Sequence, residues 1–382
     1  MTATPTSGLR SVLLAGGGTA GHVNPLLAVA EELRRRDPAT TLTVLGTSTG
    51  LEARLVPEHG LPLELVPRVP LPRRPSPDLL RLPGRLAAAV RAAGDAIDRT
   101  GAQVVVGFGG YVSTPAYLAA RRRGVPVVVH EANARPGLAN RLGARWAAEV
   151  GVAFPGTPLP GAHVVGMPLR AAVAALAGRR TADADATRRE AATTLGLDPT
   201  RRTVLVTGGS SGAVRLNAAV ATVAGDLLAT GVQVLHLTGA GKADAVRAAL
   251  PSGPAAEHYH LREYLGEMEL AYAVADLVVC RSGAATVCEL AALGLPAVYV
   301  PLPIGNEEQR LNAAPLVAAG GGLLVPDEEL TPAWLRGELL PLLADPGRLA
   351  AMGRAAAVAG TVDGAARVAD LVARAARTGG RR

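Results

Sequence analysis

Short apolar runs rich in β-branched residues recur along the chain, separated by longer segments of Ala, Leu and Arg. SVLLA (11–15), TLTVL (41–45), QVVVG (103–107), PVVVH (126–130) and HVVG (163–166) form a first series. RTVLVT (202–207), VQVLHL (232–237), DLVVC (276–280) and PAVYV (296–300) form a second. These runs are apolar at consecutive rather than alternate positions, the pattern of parallel strands covered by helices on both faces. The alternation predicts βαβ units and an α/β fold on parallel sheets. Residues 170–200 break the rhythm: GRRTADADATRRE, a helix-like segment ending at Gly196, and Asp198-Pro199 read as a domain connection and the start of a second domain. From about Pro346 the chain reads as Ala/Arg helix without strands, ending in a TGGRR tail.

Length and composition narrow the picture. The 382 residues exceed what one core usually organises, which predicts two domains of about 150–200 residues. Aromatics are only 3% of the chain, so its cores must be built from Ala, Val and Leu, and a nucleic-acid platform of stacked aromatics is excluded. Two cysteines, Cys280 and Cys288, exclude a disulfide scaffold and fit a reducing compartment. The start MTATPTSGLR lacks the apolar core of a secretory signal, and no run of about 18 apolar residues predicts a membrane span. The net charge of +7 predicts attraction to an anionic partner: a phosphate-bearing ligand, nucleic acid or acidic lipid.

Four loops at predicted strand ends carry the candidate chemistry. The first, Ala15-Gly16-Gly17-Gly18-Thr19-Ala20-Gly21-His22, contains G-x-G-x-x-G and precedes a predicted helix Pro25–Arg36. A dinucleotide would also need an acid at the end of the second strand. That strand ends TVLGTSTG, with Glu52 the first acid after it and Asp37 placed before it, which argues against a nicotinamide or flavin cofactor. Glycines and a helix start still suit an anion, and His22 stands beside them. On its own, His22 reads equally as a helix cap. The second loop, Thr207–Ala213, lacks the Lys of an ATP-binding loop but offers hydroxyls and amides to a diphosphate. Gly239-Ala240-Gly241-Lys242 lacks the remaining P-loop residues and reads as a strand-end turn. The third, Cys280–Leu290, predicts a strand end followed by a helix from about Ala284, with Glu289 just inside it: a ribose acceptor or a complement to the helix dipole. The fourth, Pro301–Asn312, offers amides and carboxylates suited to sugar hydroxyls. Asp183-Ala184-Asp185 matches the metal-binding Asp-x-Asp pattern but lies away from any strand end, so no metal site is predicted.

In order along the chain, these segments and three others resemble the MurG family, the bacterial GT-B glycosyltransferases that add N-acetylglucosamine to lipid I in peptidoglycan synthesis. GGTAGHVNP (17–25) is similar to that family's first glycine loop, GGYVSTP (109–115) to its second, and HEANARPGLAN (130–140) to its HEQN segment. GMPLR (166–170) resembles its Asn-Pro-x-Arg hinge, and GGSSGA, CRSGAATVCE and EEQRLNA (307–313) its three donor-site motifs. Ala20, Ala132, Met167 and Glu308 depart from the usual residues.

The resemblance implies two Rossmann-like, doubly wound parallel-sheet domains separated by a cleft. Residues 1–167 would bind acceptor and membrane, with a helix at about 358–376 packing back on them, and residues 168–357 would bind UDP-GlcNAc. It implies inverting, metal-independent transfer of N-acetylglucosamine to the 4-hydroxyl of the muramoyl sugar of lipid I, giving lipid II, with no cofactor. Donor groups would be Thr19, Ala20, Gly21, Asn133, Arg170, Ser210, Leu265, Ala284, Ala285, Thr286, Val287, Cys288, Glu289 and Gln309. His22 would be the catalytic base or its orienter, because an imidazole exchanges protons near neutrality.

A lipid-linked acceptor implies peripheral attachment to the cytoplasmic face of the cell membrane. The segment from Leu61 to Arg91 supports this independently, with Arg68, Arg73, Arg74, Arg81, Arg85 and Arg91 among Leu and Pro. The alternatives are a GT-B transferase with another lipid or aglycone acceptor and a UDP-GlcNAc epimerase. A nucleic-acid partner is not expected.

Overall fold

The computed structural model describes residues 8–69, 78–209, 212–304 and 306–379. The chain forms two compact units: residues up to Arg170 together with those from Val362 onward, and Ala171–Thr361.

In the first unit, seven strands make one parallel sheet: β1 (Ser11–Ala15), β2 (Thr41–Gly46), β3 (Leu63–Leu65), β4 (Val104–Gly107), β5 (Val127–Glu131), β6 (Glu149–Val152) and β7 (Ala162–Val164). Their order is β3-β2-β1-β4-β5-β6-β7. Apolar residues alternate into two cores: Val12, Leu14, Val104 and Val106 face one, while Leu13, Ala15 and Val105 face the other. The helix Gly364–Gly379 completes the first core through Val368, Leu371 and Val372.

The second unit holds β8 (Thr203–Thr207), β9 (Gln233–Leu237), β10 (Tyr259–Arg262), β11 (Ala275–Cys280), β12 (Ala297–Tyr299) and β13 (Gly322–Leu324), ordered β10-β9-β8-β11-β12-β13. All its pairings are parallel. Each sheet reverses its order of growth once, between β1 and β4 and between β8 and β11. In open α/β sheets such switch points, at the carboxyl ends of the strands, are where ligands bind.

Several expectations are corrected here. The strands β3, β6, β10 and β13 are additional, and β7 is shifted to 162–164; they are short and lie toward the sheet edges, where β-branched runs are not required. The segment from Leu61 to Arg91 opens on a buried leucine and a strand. Leu63–Leu65 pairs with Val44–Gly46, and Leu61 and Val66 are buried. Part of that segment, residues 70–77 with Arg73 and Arg74, lies outside the described residues, as does the Arg81 side chain.

The polar stretch after Arg170 is two helices, Ala171–Ala182 and Ala184–Leu195. Asp183 is the N-cap of the second, accepting from the Ala186 N–H at 2.8 Å, which gives the Asp-x-Asp match a structural role. The terminal Ala/Arg segment is also two helices, Pro346–Ala359 and Gly364–Gly379. They fall in different units.

Candidate active site

The four glycine-bearing turns that follow β1, β4, β8 and β11 all stand at switch points. In the first unit, the helix after β1 begins at Ala20, not at Pro25. Pro25 stands in the second turn, where its ring removes the one N–H that would have met the Gly21 carbonyl. His22 is therefore in the first turn, behind Thr19 as N-cap. Its Nδ1 lies 3.1 Å from the Thr19 hydroxyl and 3.2 Å from the Gly17 carbonyl oxygen.

The turn after β4 closes over this imidazole. A Cβ at Gly110 (φ +79°) would stand 2.5 Å from the Gly17 carbonyl and 3.3 Å from His22 Nδ1, so only glycine fits there. Ser113, fully buried, fixes the turn: its hydroxyl accepts from the Gly109 N–H at 2.9 Å and lies 3.1 Å from the carbonyl of Ala15 at the end of β1.

The loop after β5 is shaped by Glu131. This buried carboxylate accepts from the backbone N–H groups of Asn133 and Gly137, both at 2.9 Å, and from the Asn140 amide at 3.0 Å. Asn140 in turn accepts from the Tyr117 hydroxyl at 2.7 Å. Asn133 is thereby held half-buried beside the strand end. His130 is fully buried against the Gly166 carbonyl, 3.1 Å from its Nε2; burial pushes its pKa down to about 4, so it stays neutral. Arg170 is half-buried at the last position before the second unit begins.

In the second unit, Ser210 lies outside the described residues. The helix after β11 begins at Ala284, with Gly283 as an N-cap that lends no side chain. The first-turn N–H groups of Ala284, Ala285 and Thr286 have no intrahelical partner, the geometry that receives phosphate. Glu289 is not in the first turn but in the second; it is buried and accepts from the Tyr272 hydroxyl at 2.8 Å. Val287 is buried in the core, and burial, then the charge of Glu289, pushes the Cys288 thiol up to about 12. Neither Cys288 nor the buried Cys280 is a nucleophile at neutral pH. Leu265 is half-buried in the loop after β10. Gln309 is the second residue of the helix Glu308–Ala318, and its side-chain oxygen accepts from the Leu302 N–H at 3.0 Å, which turns its NH2 donor end away from Leu302.

Sequence reasoning passed over several groups that build these loops. Arg281 pairs with the buried Asp327 at 2.6 Å and donates to the carbonyls of Val300 and Pro301, tying together the loops after β11, β12 and β13. Arg215 pairs with the other Asp327 oxygen at 3.0 Å. Glu52 was visible as the first acid after β2, but one of its partners, Gly18, lies in another loop. The flanking glycines were the one available signal. Among the described residues, no cluster of three or more His, Cys, Asp or Glu could hold a metal ion.

The sequence models of the glycosyltransferase family 28 N-terminal and C-terminal domains match residues 12–152 and 203–368. A Nocardioides sp. protein named UDP-N-acetylglucosamine--N-acetylmuramyl-(pentapeptide) pyrophosphoryl-undecaprenol N-acetylglucosamine transferase is 57% identical over 362 residues, covering 94% of this chain and 97% of its own length. The crystal structure of Acinetobacter baumannii MurG aligns with a TM-score of 0.74 at 28% identity, covering 96% of this chain and 99% of that one. A Neisseria meningitidis UDP-GlcNAc 2-epimerase bound to UDP-GlcNAc aligns with a TM-score of 0.67 over 96% of this chain and 100% of that one, but at 14% identity this shows only a shared fold.

Proposed function

The chain belongs to glycosyltransferase family 28, and from that premise we propose that it transfers N-acetylglucosamine from UDP-GlcNAc to the muramoyl sugar of lipid I, producing lipid II. The observation that carries this reading is the 57% identity to the Nocardioides transferase along nearly the whole of both chains. The placement of His22 and of the helix beginning at Ala284 at switch points supports the chemistry.

In the proposed reaction the acceptor 4-hydroxyl oxygen forms a bond to the sugar C1 as the bond from C1 to the UDP oxygen breaks. The hydroxyl proton goes to His22, and the anomeric configuration inverts. The negative charge on departing UDP is met by the N–H groups of Ala284, Ala285 and Thr286 and by the Ser210 loop, without a metal. Glu289 takes the ribose hydroxyls, Gln309 those of the sugar, and Leu265 meets the uracil through its backbone. Thr19, Ala20, Gly21, Asn133 and Arg170 complete the donor set. The first unit is the acceptor-binding domain and the second the donor-binding domain.

The protein is further proposed to lie peripherally on the anionic cytoplasmic face of the membrane, with no nucleic-acid partner. The arginines of residues 61–91 and the exposed Leu65 support this attachment. No described helix is long and apolar enough to cross a membrane.

The test is UDP release from UDP-GlcNAc in EDTA, with and without a soluble lipid I analogue. Release only with the analogue is expected. Release without it would overturn transfer in favour of hydrolysis or epimerase-like chemistry.

A further inference from the structure

Behind the first glycine loop stands a carboxylate that the proposed reaction does not use. Glu52, first residue of the helix Glu52–Glu58, is fully buried. Its Oε2 accepts from the Gly18 N–H at 2.9 Å, and its Oε1 from the Thr47 N–H at 3.0 Å and the Thr47 hydroxyl at 2.7 Å. Burial alone would raise its pKa; the donors from Gly18 and Thr47 and its own N–H hold it below the usual carboxylate value, so it is ionised.

The surrounding chain is shaped to this group. A Cβ on Gly17 would lie 2.5 Å from Oε1 and one on Gly46 2.6 Å from Cγ, while one on Gly50 would overlap the carboxylate itself. Three glycines, one in the loop after β1, one ending β2 and one in the loop after β2, thus make the space that Glu52 fills.

The consequence passes through one peptide plane. The Gly17–Gly18 bond is trans, so its N–H and C=O point in opposite directions. The N–H is held by Glu52, and the oxygen is 3.2 Å from His22 Nδ1. A carbonyl can only accept, so Nδ1 carries the proton and Nε2 the lone pair. The Thr19 hydroxyl, 3.1 Å from the same nitrogen, can donate or accept and therefore does not choose between tautomers.

We infer that Glu52 is a positioning residue that, by clamping the Gly17–Gly18 peptide, selects the His22 tautomer whose Nε2 accepts the acceptor's proton. This rests on the assignment of His22 as base in the proposed reaction. In Glu52→Gln the side-chain oxygen satisfies Thr47, and the NH2 group faces the Gly18 N–H, donor against donor. The peptide loses its anchor and His22 its tautomer preference.

The experiment is long-range 1H–15N spectroscopy of the full chain labelled at histidine, at a pH where His22 is neutral, with its signal identified by loss in His22→Gln. In the unsubstituted protein the proton is expected on Nδ1; a proton on Nε2 would overturn the inference with no variant needed. In Glu52→Gln the expected result is a mixed or reversed tautomer and a kcat lowered at least about 100-fold, with KM for UDP-GlcNAc changed no more than about threefold. An unchanged tautomer and kcat in a folded Glu52→Gln protein would also overturn it. Thr47→Val, which removes one hydroxyl donor and leaves Gly18 held, is expected to keep the tautomer; a tautomer shift there would mean that general packing, not the Gly18 clamp, is responsible. Turnover by His22→Ala tests the base assignment separately: retained activity there would remove His22 from the chemistry while the spectra still judge Glu52.

Discussion

The switch points of the two sheets are built by different means. At the first, between β1 and β4, buried polar side chains reach across from neighbouring elements: Glu52 to Gly18, Ser113 to Gly109, Glu131 to the loop that holds Asn133. What they support is an imidazole in fixed hydrogen-bonding geometry. At the second, between β8 and β11, the loops are tied from beneath by the Arg281–Asp327 pair, and the groups presented are backbone amides at a helix start. In the proposed reaction the first region moves a proton and the second receives charge. A proton acceptor needs a chosen tautomer and direction, which demands side-chain braces. Phosphate needs only several N–H groups held convergently, which a helix supplies without further fixing.

The sharpest way to break this comparison is His22→Ala. Loss of the base is expected to lower turnover about 1,000-fold while UDP affinity, measured by calorimetry, changes little. A large loss of UDP affinity would mean that the two functions are not divided between the units. Next in size is Asp327→Ala, which leaves the largely buried Arg281 without its carboxylate. Such a loss costs about 3–5 kcal/mol and should appear in denaturant unfolding of the second unit. An undisturbed transition would remove the pair from the account of that switch point.

A pH titration of stability compares the units through one buried histidine each, His130 and His236. Burial lowers both from 6.5 to about 4. Because the folded pKa is depressed, the unfolded chain binds protons first as pH falls. The stabilising contribution is therefore complete above about 6.5 and is lost between there and about 4, up to roughly 3 kcal/mol for each residue. The slope of unfolding free energy against pH should fall in His236→Gln; an unchanged slope would sink the prediction for the second unit. The smallest effect is expected for Glu289→Gln. It keeps the shape of the side chain but weakens acceptance from ribose hydroxyls, raising KM for UDP-GlcNAc about tenfold, or about 1.4 kcal/mol. An unchanged KM would leave Glu289 as only the partner of Tyr272.

Legibility in the sequence followed the range of the interactions. The strands β1, β4, β5, β8 and β11 stand out because burial on both faces makes every position apolar. The edge strands do not: Leu63-Glu64-Leu65 becomes a strand only because Val44–Gly46 offers it a ladder. The glycine turns, His22 and the helix near Ala284 were readable because each is a local arrangement of small residues at a strand end. Glu52 was readable as a residue but not as a brace, since the loop it holds lies 34 residues earlier. Asp327 is likewise remote from Arg281. The helix start near Ala284 was read correctly, but Glu289 is the sixth residue of that helix and so falls in its second turn.

The division of the first unit between two stretches of chain bears on how the protein is made. Its core lacks Val368, Leu371 and Val372 until the segment from Val362 onward has been synthesised. Ala171–Thr361, by contrast, is continuous and can close its own core as it leaves the ribosome. At about 5–20 residues per second, roughly 190 intervening residues impose a delay of about 10–40 s during which one face of the first sheet waits for its last helix. The first unit, begun before the second, is thus completed after it.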